Sequence, residues 1–207
     1  MKTTLISFLG NSRASGDYNR VAYSYQGKLC EPVTYIGYAL HQLVHPERFL
    51  ILGTTGSMWD HLFESDLELE QQYEEQRLQL MESVDYKESV TQEQLNELAP
   101  LLSKALDTEV ILRIIPAART EAEQLEVLEQ INSALDDAEG GSLYLDVTHG
   151  FRSMPMVSFA AVQFLNTVKP GIEVKNIFYG EYDHDTKDQE IGTGQIIELS
   201  GVLNLGR

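Results

Sequence analysis

The chain has 207 residues, 43% of them apolar, which suffices for one domain with a real core, and no stretch is long and apolar enough to span a membrane. A formal net charge of −17 argues against general binding to long nucleic acids, which need a basic footprint, but allows a small anion held in a locally basic cleft. The lone cysteine, Cys30, excludes an intrachain disulfide framework and suits a reducing cytoplasm.

The N-terminal run Met1–Leu9 has too short an apolar part, and too poor a cleavage site, for a signal peptide. Thr3–Leu9 is read instead as the first strand. It opens into the small-residue loop Gly10-Asn11-Ser12-Arg13-Ala14-Ser15-Gly16, which is neither a P-loop nor a dinucleotide fingerprint. Alternation from Tyr18 to Tyr25, then Gln26-Gly27, then Leu29–Val33 predicts a β-hairpin. Its tyrosines could stack on bases, but cross-strand packing accounts for such a stripe more simply.

Thr34–Val44 reads as a helix with His41 and His45 one turn apart. Gln42 stands where a zinc-protease pattern wants a glutamate, so both histidines are expected at the surface. Arg48–Thr54 is a second parallel strand ending in the hydroxyl-rich Thr54-Thr55-Gly56-Ser57. Trp59–Phe63 begins a helix. The acidic stretch from Glu64 to Leu106 is read as helical with a solvated face, an insertion or arm on the sheet. Glu109–Ile115 is a third strand, and Thr120–Asp137 a helix with Thr120 and Glu123 in capping-box spacing. Beyond the segment treated next, strands are expected at Glu173–Tyr179 and Gln195–Leu199, around a charged turn at Asp183–Asp188.

The stretch Gly141-Ser-Leu-Tyr-Leu-Asp146-Val-Thr148-His149-Gly150-Phe151-Arg152-Ser153-Met-Pro155 organises the rest. A buried strand breaks into polar residues. Ser153 is then a helix N-cap candidate with Pro155 in the first turn, and an apolar helix runs on to Val168. Strand-to-helix crossings at the carboxyl ends of parallel strands are where open sheets bind ligands. Free amides at a helix start favour anions, Gly150 permits close approach, and Arg152 can clamp a phosphate. Asp146 tying down the loop, and His149 as a structural histidine, is the plainer alternative. Strands alternating with helices imply a doubly wound α/β sheet over residues 1–207, with 64–106 inserted. The right-handed crossover rule should then bring Gly10–Arg13, Thr54–Ser57 and Thr148–Arg152 to one edge.

Leu5-Ile-Ser-Phe-Leu-Gly10, Thr34-Tyr-Ile36, Leu50-Ile-Leu-Gly-Thr54 and above all Asp146-Val-Thr-His-Gly-Phe-Arg152-Ser-Met-Pro155 resemble the CRISPR-associated Rossmann-fold (CARF) family. The resemblance spans nearly the whole chain, and the Asp-x-Thr-His-Gly-x-Arg string is its most specific part. It implies a Rossmann-like, two-fold dimeric sensor of type III CRISPR defence that binds cyclic oligoadenylate, tetra- or hexa-adenylate, across the dimer axis. The expected ligand contacts are Gly10, Asn11, Ser12, Arg13, Thr54, Thr55, Gly56, Ser57, Asp146, Thr148, His149, Gly150, Phe151 and Arg152. Some family members cut the ring. Here that would be a metal-independent attack of a ribose 2′-OH on the adjacent phosphate, needing no cofactor, with Ser12, His149 and Arg152 as catalytic candidates. Many members add a ribonuclease effector with an Arg-x4-6-His motif, and this sequence has no such spacing. The alternative is a binding-only regulatory domain of a longer effector. An unrelated nucleotide-binding Rossmann enzyme ranks below both, because both phosphate fingerprints are missing. A Ser12–His149–Asp146 hydrolase ranks lower still, since the nucleophile-elbow pattern is absent.

Overall fold

Leu5, Phe49 and Ile51 point to one side of a central sheet, and Ile6, Phe8, Leu50 and Leu52 to the other, all essentially excluded from water. Near-continuous apolar runs of this kind belong to parallel strands covered on both faces. The computed structural model describes residues 2–11, 19–64, 66–67, 69, 73–86, 90–135, 140–149, 154–199 and 201, with backbone only for 154–159 and 166. The strands are β1 (Lys2–Phe8), β2 (Arg20–Tyr25), β3 (Lys28–Leu29), β4 (Arg48–Gly53), β5 (Glu109–Ile114), β6 (Gly141–Asp146), β7 (Ile172–Tyr182) and β8 (Ile191–Glu198). The helices are α1 (Ile36–Val44), α2 (Glu74–Asp85), α3 (Gln92–Leu106), α4 (Glu121–Ala134) and α5 (Met154–Val168), with a 3-10 turn at Trp59–Leu62.

The eight strands lie in the order β3-β2-β8-β7-β6-β1-β4-β5. From β7 to β5 all neighbours are parallel; β8 runs antiparallel to β7, β2 parallel to β8, and β3 antiparallel to β2. This is the mostly parallel, Rossmann-like α/β sheet expected from the alternation of strands and helices. Chain order reverses at β1: β4 and β5 build outward on one side, β6 and β7 on the other. The switch point therefore falls between the carboxyl ends of β1 and β6, where such sheets form their crevice.

Local chemistry accounts for most boundaries. The hairpin turns through Gln26 and Gly27, both at positive φ (49° and 79°), the geometry that two-residue hairpin turns prefer. Thr120 accepts the Glu123 N–H at 3.2 Å and caps α4, while the Glu123 carboxylate takes the Arg119 N–H rather than closing a full capping box. Thr91 and Gln94 do close one at the start of α3.

Three expectations need correction. The stretch 64–106 contains α2 and α3, but α3 is the helix that carries the chain from β4 to β5 and lies on β5. Leu95, Leu98 and Leu102 recur at helical spacing and are buried, each contributing about 1.5–3 kcal/mol. His41 is not a surface histidine. Its Nε2 stands 2.8 Å from Thr108 Oγ1 and its ring stacks on Phe49, because the last turn of α1 meets the chain entering β5. Burial, then His45, holds the His41 imidazole below its ordinary pKa. Lastly, the final strand begins at Ile191 rather than Gln195. Gly192 and Gly194 obscured it; they leave room for the Tyr182 and Tyr23 rings.

Among the described residues no helix is long and apolar enough to cross a membrane.

Candidate functional site in the crevice between β1 and β6

Parallel pairing of β1 with β6 puts Ser7 beside Asp146, so their side chains leave the sheet on the same face. Ser7 Oγ donates to Asp146 Oδ2 at 2.5 Å, and the Tyr35 hydroxyl donates to Ser7 Oγ at 2.6 Å. Asp146 Oδ1 accepts the Thr148 N–H at 2.9 Å and the Thr148 hydroxyl at 2.6 Å, the local turn that aspartate favours. The Gly180 N–H closes the set by donating to Thr148 Oγ1 at 2.8 Å. Ser7, Tyr35 and Asp146 are all fully buried. Burial pushes the Asp146 carboxyl above its usual range, while Ser7, Thr148 and the His149 ring pull it back only in part. Burial, then the Asp146 charge, drives the Tyr35 phenol well up.

The loops after β1 and β4 join as a unit. Leu9 N donates to Leu52 O at 2.7 Å, Met58 N to Gly10 O at 3.0 Å, and Ser57 Oγ to Leu9 O at 3.0 Å. Asn11 and Ser57 form a short antiparallel bridge. Trp59 pins the second loop from below, its Nε1 donating to Thr54 O at 2.7 Å. Its ring occupies the space beside Gly53, where an added Cβ would lie 2.7 Å away. The third loop arrives at the same place, for a Cβ built on Gly10 would stand 3.6 Å from His149 Cβ. The three loops therefore converge as the crossover rule requires.

Within that convergence the residues divide by exposure. Gly10, Thr54, Thr55, Gly56, Thr148 and His149 are half-buried and Asn11 is exposed, so their atoms border solvent. Asp146 and Ser57, expected as ligand contacts, are fully buried and spend their oxygens on the loops, so they shape the crevice from behind. Ser12, Arg13, Gly150, Phe151 and Arg152, together with the cap candidate Ser153, lie outside the described residues. Of the catalytic candidates only His149 is described. Sequence reading missed Ser7, Tyr35 and Gly180. Ser7 had a signal as the lone polar side chain in Leu5-Ile-Ser-Phe-Leu9. Tyr35 had one in nearby Gly37, where a Cβ would meet its ring at 2.4 Å.

A second opening of about 610 Å³ lies at the far tip of the sheet, among Ser24, Leu29, Glu181, Asp183, Asp185 and Thr193. Three carboxylates make it hostile to phosphate. The crevice presents backbone, hydroxyls and an imidazole, a set suited to an anion. Among the described residues no group of three His, Cys, Asp or Glu side chains could hold a metal ion.

Comparison with known proteins gives two findings. The family model described as CRISPR system endoribonuclease Csx1, CARF domain, matches residues 4–183. A CRISPR-associated protein of Methanocaldococcus jannaschii is 22% identical over 224 residues, an alignment that takes in 99% of this chain and 35% of the relative. The chain thus spans about a third of the length of that curated relative.

Proposed function

The chain belongs to the CARF-domain family of the CRISPR system endoribonuclease Csx1, and from that premise we propose that it is a cyclic oligoadenylate receptor of type III CRISPR defence. The observation that carries the proposal is the meeting of three loops at the switch point, with Gly10 close against His149. The ring lies across the two-fold axis of a homodimer, so that each crevice serves half of it. Loop amides and Arg152 hold phosphates, and the Thr54–Gly56 loop borders the bases.

The same crevice is suited to cutting the ring. A ribose 2′-OH attacks the adjacent phosphorus, the bond to the 5′ oxygen breaks, and that oxygen takes up a proton, leaving a 2′,3′-cyclic phosphate. Holding the three atoms in line matters most. An imidazole exchanges protons near neutrality, which fits His149 for the transfers, with Ser12 as a second candidate to orient the nucleophile and Arg152 to offset charge on phosphorus.

Calorimetry with cyclic tetra- and hexa-adenylate tests binding. Arg152→Ala should lose about 1.5–3 kcal/mol, the value of hydrogen bonds to a charged group. Leu125→Ser, on the exposed side of α4, should match the unaltered chain. Equal affinities for both variants would mean the site is misplaced. Single-turnover cleavage with the protein in excess and EDTA present tests the chemistry. Rings that stay intact for hours at saturation leave a binding-only receptor.

A further inference from the structure

We propose that Tyr35 and Ser7 are positioning residues for the Thr148–His149 loop, acting through Asp146 and linking that loop to the start of α1 and to β7. The inference rests on reading the crevice as the ligand site, and it concerns how the site is aimed.

While Asp146 is ionised, the hydrogens in this cluster have only one arrangement. An ionised carboxylate only accepts and a backbone N–H only donates. Thr148 Oγ1 sits between the Gly180 N–H at 2.8 Å and Asp146 Oδ1 at 2.6 Å, so it accepts from the first and donates to the second. Ser7 likewise gives its single hydrogen to Asp146 Oδ2, and its lone pair takes the Tyr35 hydroxyl. Two arms, one from α1 and one from β7, thus end with fixed polarity on one carboxylate. Turning either hydroxyl round would strand a donor or acceptor in a dry site, which is costly. A phenylalanine would fill the Tyr35 site without needing any partner, so the hydroxyl is what the arrangement uses.

A second contact joins the same three elements independently. A Cβ at Gly180 would lie 2.0 Å from Ile36 Cδ1 and 3.3 Å from Thr148 Cγ2, so α1, the loop and β7 meet there without a gap. Tyr35 is itself anchored, since the Asp66 carboxylate accepts the N–H groups of Thr34 and Tyr35 at 2.9 and 3.2 Å. The loop that leaves β6 is held at both ends of this chain. A ligand that draws on Thr148 therefore acts on α1 and β7 as well.

Amide hydrogen exchange on the whole chain is the test, paired with calorimetry using cyclic tetra- and hexa-adenylate. Tyr35→Phe keeps the ring stacked on Phe49 and removes one donor. It should speed exchange at the Thr148 and Gly180 amides about two- to twelvefold, the factor expected for one hydrogen bond, and leave Leu50 in central β4 unchanged. Thr148→Val should act at least as strongly, and Thr148→Ser, which keeps the hydroxyl, should restore slow exchange. Ring affinity should fall in Tyr35→Phe by a similar factor. Unchanged exchange at both amides in Tyr35→Phe overturns the proposal, as does a Thr148→Ser that behaves like Thr148→Val. If the unaltered chain binds no ring, the receptor reading fails, and the exchange data alone still decide whether Tyr35 positions the loop.

Discussion

Two charged side chains are buried at opposite edges of the sheet, and they are stabilised differently. Arg48 opens β4 at the amino edge and is 1% exposed; Asp146 closes β6 at the carboxyl edge and is 0% exposed. Arg48 meets an opposite charge. Its Nε and a terminal nitrogen bond the two Glu109 oxygens at 3.0 and 3.3 Å, its other terminal nitrogen reaches Ala134 O at 3.2 Å, and Lys2 adds a contact to Glu109 at 3.3 Å. Asp146 is held by two hydroxyls and an amide. Compensation by charge, with Glu109 on β5 and the Ala134 carbonyl at the end of α4 as partners, makes a clamp. Stabilisation by oriented neutral dipoles, with Ser7 on β1 and Thr148 on the loop as partners, makes the geometry depend on single hydroxyl groups. The charge-paired edge supports the fold and the hydroxyl-held edge borders the crevice.

Arg48→Met is the strongest way to break this comparison. It should cost about 3 kcal/mol in urea unfolding, the low end for breaking a buried pair, because Glu109 keeps 46% of its side chain in solvent. A loss below 1 kcal/mol would show that the amino edge is no clamp.

Acid titration sharpens the contrast through its sign. Burial raises the Glu109 carboxyl, but bonds from Arg48 and Lys2 outweigh it and hold the group below its ordinary range. Its stabilising contribution is present above the unfolded value of about 4.3 and is lost as pH falls through the folded value. Asp146 is shifted upward, so its contribution is present below about 3.9 and is lost as pH rises through the folded value. Stability differences between the parent and Glu109→Gln, and between the parent and Asp146→Asn, should therefore slope in opposite directions from pH 3 to 7. Slopes of the same sign would refute the distinction.

Gly10→Ala should have the smallest effect on the fold. The new methyl would meet His149 at 3.6–3.7 Å, ordinary contact, so unfolding free energy should change by less than about 1 kcal/mol. Ring affinity should nevertheless drop, because the methyl occupies the crevice. Unaltered affinity would mean the ligand does not approach Gly10.

What the chain disclosed beforehand follows the range of the interactions involved. The turn at Gln26-Gly27, the Thr120 cap and the apolar strands are local signals, and they were legible. So was the convergence of the three loops, because crossover handedness constrains topology. The partnership of Ser7 and Asp146 was not, since it depends on β6 pairing with β1 across 139 positions. His41 depends on Thr108, 67 positions away. The α3 stretch was legible in principle, for Leu95, Leu98 and Leu102 keep helical period, but the surrounding glutamates and glutamines masked it.

The pairing of β2 with β8 has a consequence for synthesis. Arg20 lies opposite Ile191, so β2 must wait for a strand made about 170 residues after it. At about 5–20 residues per second that wait lasts on the order of 10–30 s. Throughout it Val21, Ala22 and Tyr23, buried in the finished sheet, have no β8 to pair with. Unpaired apolar strands recruit other chains, and the nascent protein is most vulnerable to aggregation in that interval. Folding of this edge is tied to the synthesis of β8.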